Sequence, residues 1–193
     1  MSCVASGKRE EKFSRLEIRT ARHVIFDTTE LDGCEVVLFD DGPNSDPVKV
    51  RCKGGQVEVD DTVSDSCDLY IYTHDSGLAE KVKEKLRRVN EVCKEIRIKR
   101  ENADEKCDVM PHVLIGYPHG RHCYVTVGER ETVGGDWWNS VKYRVDSCPG
   151  NSGCIGVSDV RCIYSHTAHS GSTAVPGVGI SAGWGRPDLL SNN

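Results

Sequence analysis

The sequence predicts an all-β protein in which two β-rich halves are joined by one helix. Short apolar runs recur along both halves with turn residues between them, a spacing typical of a barrel or a sandwich. Between residues 76 and 106 the apolar residues recur at every third or fourth position, which indicates an amphipathic helix. A chain of 193 residues suffices for two small barrels that share an interface.

The first half reads as short strands that are separated by turns. Residues 40–44 form a polar turn after an apolar run, and Gly54 and Gly55 separate two alternating segments. The strand pattern stops before residue 76 and resumes after Val109. The predicted strands lie at 16–19, 35–39, 48–50, 57–59 and 67–72 in the first half, and at 113–116, 123–128, 141–145, 154–157 and 178–181 in the second.

The helical segment has one apolar face with Lys, Arg and Glu between the apolar positions. That face consists of Leu78, Val82, Leu86, Val89, Cys93 and Ile96. We expect a solvated helix that packs this face on the rest of the protein, and binding of a partner is the alternative.

Composition narrows the class of protein. No apolar run approaches the ~20 residues of a membrane-spanning helix, and the first residues lack the apolar core of a signal peptide. A net charge of −5 argues against a general nucleic-acid binder. We therefore expect a cytoplasmic protein with neither nucleic-acid nor membrane partners.

The ten cysteines are dispersed along the chain, and we expect reduced thiols rather than a disulfide framework. A metal site is the other interpretation of so many cysteines. His119 and His122, like His166 and His169, are three residues apart, but no cysteines stand near them at the spacing of zinc ligands. We predict no metal site.

Three residues have the chemistry of a hydrolytic triad. His23 follows Thr20-Ala21-Arg22, Asp68 opens an apolar run, and Ser152 lies in a Gly-Asn-Ser-Gly turn. A serine hydroxyl is a weak nucleophile at neutral pH and needs a base beside it. We predict Ser152 as the nucleophile, His23 as the general base and acid, and Asp68 as the residue that orients the imidazole.

The glycines around the serine have a role in the same hypothesis. A sharp turn there lets the backbone amides of Gly150 and Ser152 converge on the oxyanion of an acyl-transfer reaction. Each residue also has a structural interpretation. His23 can be a satisfied structural histidine, Asp68 can cap a turn, and the glycine turn can be an ordinary loop.

The order His, Asp, Ser and the motifs around these residues resemble those of chymotrypsin/trypsin-like serine peptidases. The segment 20–23 is similar to the family's Thr-Ala-Ala-His, and 68–71 to its aspartate followed by an apolar strand. The segment 146–153 resembles the family's Asp-Ser-Cys-x-Gly-Asp-Ser-Gly motif. Gly116-Tyr117-Pro118 resembles a strand found in the intracellular and bacterial branches of the family.

The resemblance covers nearly the whole chain and implies two β-barrels of the chymotrypsin-like, six-stranded type with the triad between them. It assigns His23 and Asp68 to an N-terminal barrel, residues 1–75, and the nucleophile to a C-terminal barrel, residues 108–193. Residues 76–107 are the helical connector. The implied activity is hydrolysis of peptide bonds in a protein or peptide substrate through an acyl-enzyme, with no metal or organic cofactor.

The chain departs from the family pattern in several places. Val24 stands where secreted members have a cysteine, and no cysteine after Cys162 can pair with Cys148 in the family's usual way. Asn151 replaces an aspartate that binds the freed N-terminus of activated zymogens, so we expect no activation of that kind. Only 22 residues precede His23, about half the family's usual number, which predicts a first barrel that is incomplete at its N-terminal side.

Two residues suggest different substrate preferences. Asp146, six residues before Ser152, matches the pocket aspartate of trypsin, which selects Lys or Arg. His166, fourteen residues after Ser152, resembles the pocket histidine of peptidases that select Gln or Glu. Both remain candidate substrate-binding residues at this point.

The competing hypothesis is a catalytically silent trypsin-like domain that binds proteins. The short segment before His23 motivates it, because an incomplete first barrel could misplace this histidine. The presence of all three triad residues favours the peptidase, and the sequence does not determine the oligomeric state.

Overall fold

The computed structural model describes residues 2–3, 11–59, 65–103, 111–131, 140–158 and 166–182. The helices are α1 (Thr28–Asp32) and α2 (Ser76–Ala103), and a short 3-10 turn spans Pro118–Gly120. The strands of the first half are β1 (Ser2–Cys3), β2 (Glu11–Lys12), β3 (Ser14–Thr20), β4 (Glu35–Leu38), β5 (Val48–Arg51), β6 (Gln56–Glu58) and β7 (Cys67–Thr73). Those of the second half are β8 (Pro111–Gly116), β9 (Tyr124–Arg130), β10 (Ser140–Arg144), β11 (Ile155–Ser158), β12 (His166–Ser172) and β13 (Gly179–Ala182).

The six strands of the second half close into an antiparallel barrel in the order β10-β13-β12-β11-β8-β9. Alternation along β10 shows which side faces the core, since Val141 and Tyr143 are buried while Lys142 and Arg144 are exposed. The barrel closes where β10 pairs with β9, Tyr143 opposite Arg130 and Arg144 opposite Glu129. The core of this barrel consists of Leu114, Val141, Tyr143 and Val145, with Cys154 packed against them.

A large tyrosine organises the interior of the barrel. The Tyr143 hydroxyl lies 2.9 Å from Ser181 Oγ, and its ring stacks on His112 with the centroids 3.9 Å apart. A Cβ at Gly179 would lie 3.1 Å from the Cδ2 atom of the Tyr143 ring. Glycine on β13 thus makes room for the tyrosine, and the hydroxyl gains the partner that burial requires.

The strands of the first half form three antiparallel sheets among the described residues: β1-β2, β3-β7-β6 and β4-β5. The longest pairing runs from Ser14 opposite Thr73 to Thr20 opposite Cys67. A single core lies beneath these strands, formed by Leu31, Val50, Cys52, Cys67, Leu69, Ile71 and Leu78. The predicted all-β class is confirmed in its coarse form. The described part of the first half, however, is three sheets rather than one closed barrel.

Helix α1, which the sequence analysis did not predict, directly follows the segment that contains His23. The Asp27 side chain caps it by accepting the amides of Thr29 and Glu30, and Leu31 anchors it in the core. With five residues and one buried side chain, it is too short to show a helical period.

Helix α2 confirms the periodicity prediction, and its first turns pack on the protein. Asp75 Oδ1 accepts the Leu78 amide at 2.9 Å, and Leu78 and Ala79 are buried. Further along, Leu86 and Val89 are about half exposed. No helix in the described ranges combines the length and apolarity that crossing a membrane requires.

Candidate active site

His23 lies in a turn between the end of β3 and α1. The fully buried Ala21 anchors this turn, and the Val24 amide donates to the Ala21 carbonyl at 3.0 Å. The Arg22 amide donates to the Asp65 carbonyl at 3.2 Å. The backbone before β7 therefore lies beside the turn and limits where the imidazole can point.

The Asp65 carboxylate holds His23 through two contacts. Its Oδ1 accepts the His23 amide at 3.0 Å, and its Oδ2 lies 2.7 Å from Nδ1 of the ring. Because an ionised carboxylate can only accept, we assign the ring proton to Nδ1. Nε2 then has the free lone pair and points away from Asp65, which is the arrangement that a general base requires.

Asp68, the predicted orienting residue, is occupied elsewhere. Its carboxylate receives two hydrogen bonds from Arg19, at 2.8 Å from Nε and 2.9 Å from Nη2. The two residues face each other across β3 and β7, and Asp68 is only 2% exposed. The structure thus corrects the prediction, because Asp65 rather than Asp68 contacts His23, and Asp68 forms a buried ion pair between strands.

Ser152 lies on a tight turn between β10 and β11, as predicted. The Asn151 amide donates to the Cys148 carbonyl at 3.1 Å, and the Cys154 amide donates to the Asn151 carbonyl at 3.0 Å. Gly150 and Gly153 have φ of +87° and +82°, which glycine adopts without strain. Ser152 itself is half-buried.

The amides of Gly150 and Ser152 are oriented by the carbonyls of their own peptide groups. The Pro149 carbonyl accepts the His119 amide at 3.1 Å, and the Asn151 carbonyl accepts the Cys154 amide. In a trans peptide the N–H points opposite to the C=O, so both amides are directed away from these partners. Among the described residues, no backbone carbonyl accepts either amide. The role of both amides as oxyanion donors stays a prediction.

The serine turn packs against the strand that leads to His23. A Cβ at Gly153 would clash with the Thr20 side chain and lie 3.2 Å from the Ala21 nitrogen. Only a residue without a side chain permits this approach. Ser152 is the residue before Gly153, and His23 is two residues after Ala21. The contact therefore brings these two segments of the chain to one junction between the barrel and the sheet β3-β7-β6.

The two candidate specificity residues lie on either side of Ser152 in the sequence. Asp146 is exposed just beyond β10, and its backbone carbonyl accepts Thr126 Oγ1 at 2.9 Å, which ties the segment to β9. His166 begins β12 opposite Val157 of β11. The side chain of His166 lies outside what the structure describes.

The cysteines near the serine differ in reactivity. Cys154 packs against the barrel core, and burial raises the pKa of its thiol to about 12. It therefore stays protonated at neutral pH and is a poor nucleophile. Cys148, on the other side of the turn, is exposed. Within the described ranges, no group of three or more His, Cys, Asp or Glu residues is placed to hold a metal ion.

Sequence reasoning missed two parts of the site, Asp65 and the His119 amide. Asp65 stands two residues before β7, and the predicted strand start at Cys67 was correct but did not distinguish Asp65 from Asp68. His119 has φ of +59°, unusual for a residue other than glycine, and no sequence pattern marks it. No family model matches the chain, and no curated protein matches it.

Proposed function

We propose that this chain is a serine endopeptidase with Ser152 as nucleophile, His23 as general base and Asp65 as the orienting carboxylate. One observation carries the proposal. Asp65 holds the His23 imidazole through Nδ1, and His23 follows by two residues the Ala21 against which the glycine turn of Ser152 packs. A structural histidine needs neither this carboxylate pairing nor a serine turn beside it.

The chemistry follows from these positions. Ser152 Oγ attacks the carbonyl carbon of a peptide while His23 Nε2 takes the hydroxyl proton. Asp65 stabilises the resulting imidazolium. His23 then protonates the leaving amine, and water hydrolyses the acyl-enzyme by the same route.

The oxyanion has two donors, the amides of Gly150 and Ser152. Losing one such donor typically costs about 2.7–4 kcal/mol of transition-state stabilisation. The hydrogen bonds to the Pro149 and Asn151 carbonyls hold both peptide groups before substrate arrives. Little reorganisation is therefore needed during the reaction.

In this proposal the two halves of the chain correspond to the two chymotrypsin-like barrels. The closed barrel of the second half presents the serine turn, and the sheet β3-β7-β6 presents His23 and Asp65. Asp68 is reassigned from catalysis to joining β3 and β7 through Arg19.

The test is labelling with a fluorescent fluorophosphonate, which reacts with activated serines. We expect the wild-type chain to be labelled and Ser152→Ala not to be, with the two proteins giving the same circular dichroism spectrum. Asp65→Asn should be labelled far more slowly. Folded wild-type protein that resists labelling would overturn the proposal and favour a silent binding domain.

Substrate preference is tested separately on the active, unlabelled enzyme. Peptide libraries with Lys or Arg before the scissile bond test Asp146, and libraries with Gln or Glu test His166. We expect Asp146→Asn to abolish a Lys/Arg preference, and His166→Ala to abolish a Gln/Glu preference. A preference that survives its substitution excludes that residue as the determinant.

A further inference from the structure

Cys34 and Cys52 lie opposite each other where the β4–β5 pair ends. The register pairs Glu35 with Arg51, so the next step of the antiparallel ladder sets Cys34 against Cys52. The Cys52 amide donates to the Cys34 carbonyl at 3.1 Å, which shows that the ladder continues to this pair. Directly opposite residues of an antiparallel pair have Cα atoms about 4.5–5.5 Å apart, within the ~4.4–6.8 Å range of disulfides.

Both thiols project to the same face of the ladder. Side chains that are directly opposite in an antiparallel pair share a face, and every second residue along a strand returns to it. The two cysteines share their face with two apolar pairs, Leu38 opposite Val48 and Val36 opposite Val50. All six residues belong to the core of the first half or pack against it. The pair is thus a third rung of this apolar ladder.

The two thiols differ in access to solvent. Cys34 is half-buried, with its Sγ 3.2 Å from the Glu30 carbonyl, whereas Cys52 is 1% exposed. Burial and the neighbouring Cys34 both raise the pKa of the Cys52 thiol. A soluble reagent can therefore reach Cys34, while Cys52 is protected, with its Sγ 3.9 Å from the Val50 carbonyl oxygen.

We propose that Cys34 and Cys52 are a latent disulfide, formed on exchange with a small-molecule disulfide such as oxidised glutathione. The Cys34 thiolate attacks one sulfur of the reagent, a mixed disulfide forms, and one glutathione thiolate leaves. The Cys52 thiol then attacks the Cys34 sulfur, and its proton passes to the second glutathione, which is released as a thiol. The protein loses two hydrogen atoms, and one oxidised glutathione becomes two reduced molecules.

The bond would join two elements that already touch. Cys34 follows α1, and Cys52 begins the turn to β6, where Asp32 Oδ1 accepts the Gly54 amide at 2.7 Å. A covalent link here closes the segment 34–52 and constrains the unfolded chain. The oxidised protein should unfold at a higher urea concentration than the reduced protein. The site is separate from the candidate active site and does not depend on peptidase activity.

The experiment exposes the folded full chain to oxidised glutathione, quenches with acid, alkylates the remaining thiols and maps peptides by mass spectrometry. We expect a linked Cys34–Cys52 peptide with a mass about 2 Da below the sum of its reduced halves. Exposed Cys148 shows in the same sample that the reagent has reacted.

The matched variants are Cys52→Ser and Cys52→Ala, checked for folding by circular dichroism. In both, Cys34 should retain glutathione because the resolving thiol is missing. The proposal is overturned if wild-type Cys34 retains glutathione to the same extent, links to another cysteine, or is alkylated together with Cys52 while Cys148 has reacted. The wild-type result decides even if both variants fail to fold.

Discussion

At the scale of single residues, two aspartates only three positions apart have different environments. Asp65 is about one-third exposed and contacts the His23 ring, whereas Asp68 is buried and paired with Arg19. Both are acidic residues near the start of an apolar strand. Their partners, rather than their residue type, decide which one orients the imidazole.

Substituting each aspartate separates the two roles. Asp65→Asn should lower kcat/KM by about 10⁴-fold because the imidazole loses the acceptor that fixes its tautomer. Asp68→Asn should instead lower the free energy of unfolding by about 3–5 kcal/mol, since it removes the buried carboxylate that joins β7 to Arg19 of β3. Peptide hydrolysis and urea unfolding of both variants measure this. The reverse pattern would restore Asp68 to the triad.

Gly153 is the residue on which the junction between the two halves depends. Gly153→Ala should cost about 1–2 kcal/mol for the positive φ, and more because the new methyl group meets Thr20 and Ala21. We also expect serine labelling to fall, since the turn must move away from His23. Urea unfolding and fluorophosphonate labelling report the two effects.

Gly177 is the matched control for this substitution. Its φ is +73°, but a Cβ there would meet nothing within 4 Å. Gly177→Ala should therefore show only the backbone cost and leave labelling unchanged. Equal effects of the two substitutions would mean that the Gly153 contact does not position the serine.

At the scale of elements, the first turns of α2 hold it to the core of the first half, where Leu78 is buried. Leu78→Ala should lower the free energy of unfolding by about 2–5 kcal/mol because it leaves a cavity in the core of the first half. Leu86→Ala, at a position that is 48% exposed, should change it by less than about 0.5 kcal/mol. Urea unfolding distinguishes them. Equal losses would show that the helix is covered beyond its first turns.

The same helix shows what periodicity can predict. Its apolar repeat fixed the type of element and nearly its ends, because 28 residues give many repeats of the pattern. The repeat also placed Leu86 and Val89 on the face that packs on the protein, and both are about half exposed. Burial requires a neighbouring element, and Leu86 and Val89 have none that covers them in the described part of the chain.

Strand β12 shows the opposite case. Its sequence, His-Thr-Ala-His-Ser-Gly-Ser, has no alternation of large apolar residues, and the sequence analysis did not predict it. It forms because β11 and β13 on either side supply the partners for its backbone. Pairing within a closed sheet can thus outweigh weak local preference.

At the scale of the whole molecule, the buried Tyr70 and Cys67 of β7 couple folding to alkaline pH. Burial raises the pKa of the Cys67 thiol to about 11 and that of the Tyr70 phenol to about 12. The Tyr70 hydroxyl donates a hydrogen bond to Glu58 Oε2 at 2.9 Å. The fold therefore favours both neutral forms. The unfolded chain loses these protons at lower pH, so stability falls as pH rises above the ordinary values.

We expect the free energy of unfolding to decrease steadily between pH 9 and about 11, where the unfolded chain binds fewer protons than the folded chain. Urea unfolding across this range measures the slope. Tyr70→Phe removes one of the two groups and should make the slope shallower. A slope that this substitution does not change would mean that Tyr70 ionises equally in both states.

What the sequence by itself determined was local: the β-rich halves, the position of α2, the glycine turn around Ser152 and the candidate base His23. These follow from alternation, helical period and glycine conformational freedom, all of which act over a few neighbouring residues. The tertiary structure decided which carboxylate meets His23, which peptide amides remain available beside Ser152, and that Cys34 faces Cys52. Those contacts join segments far apart in the chain, and they depend on strand register and on the packing of the serine turn against β3, which local patterns do not encode.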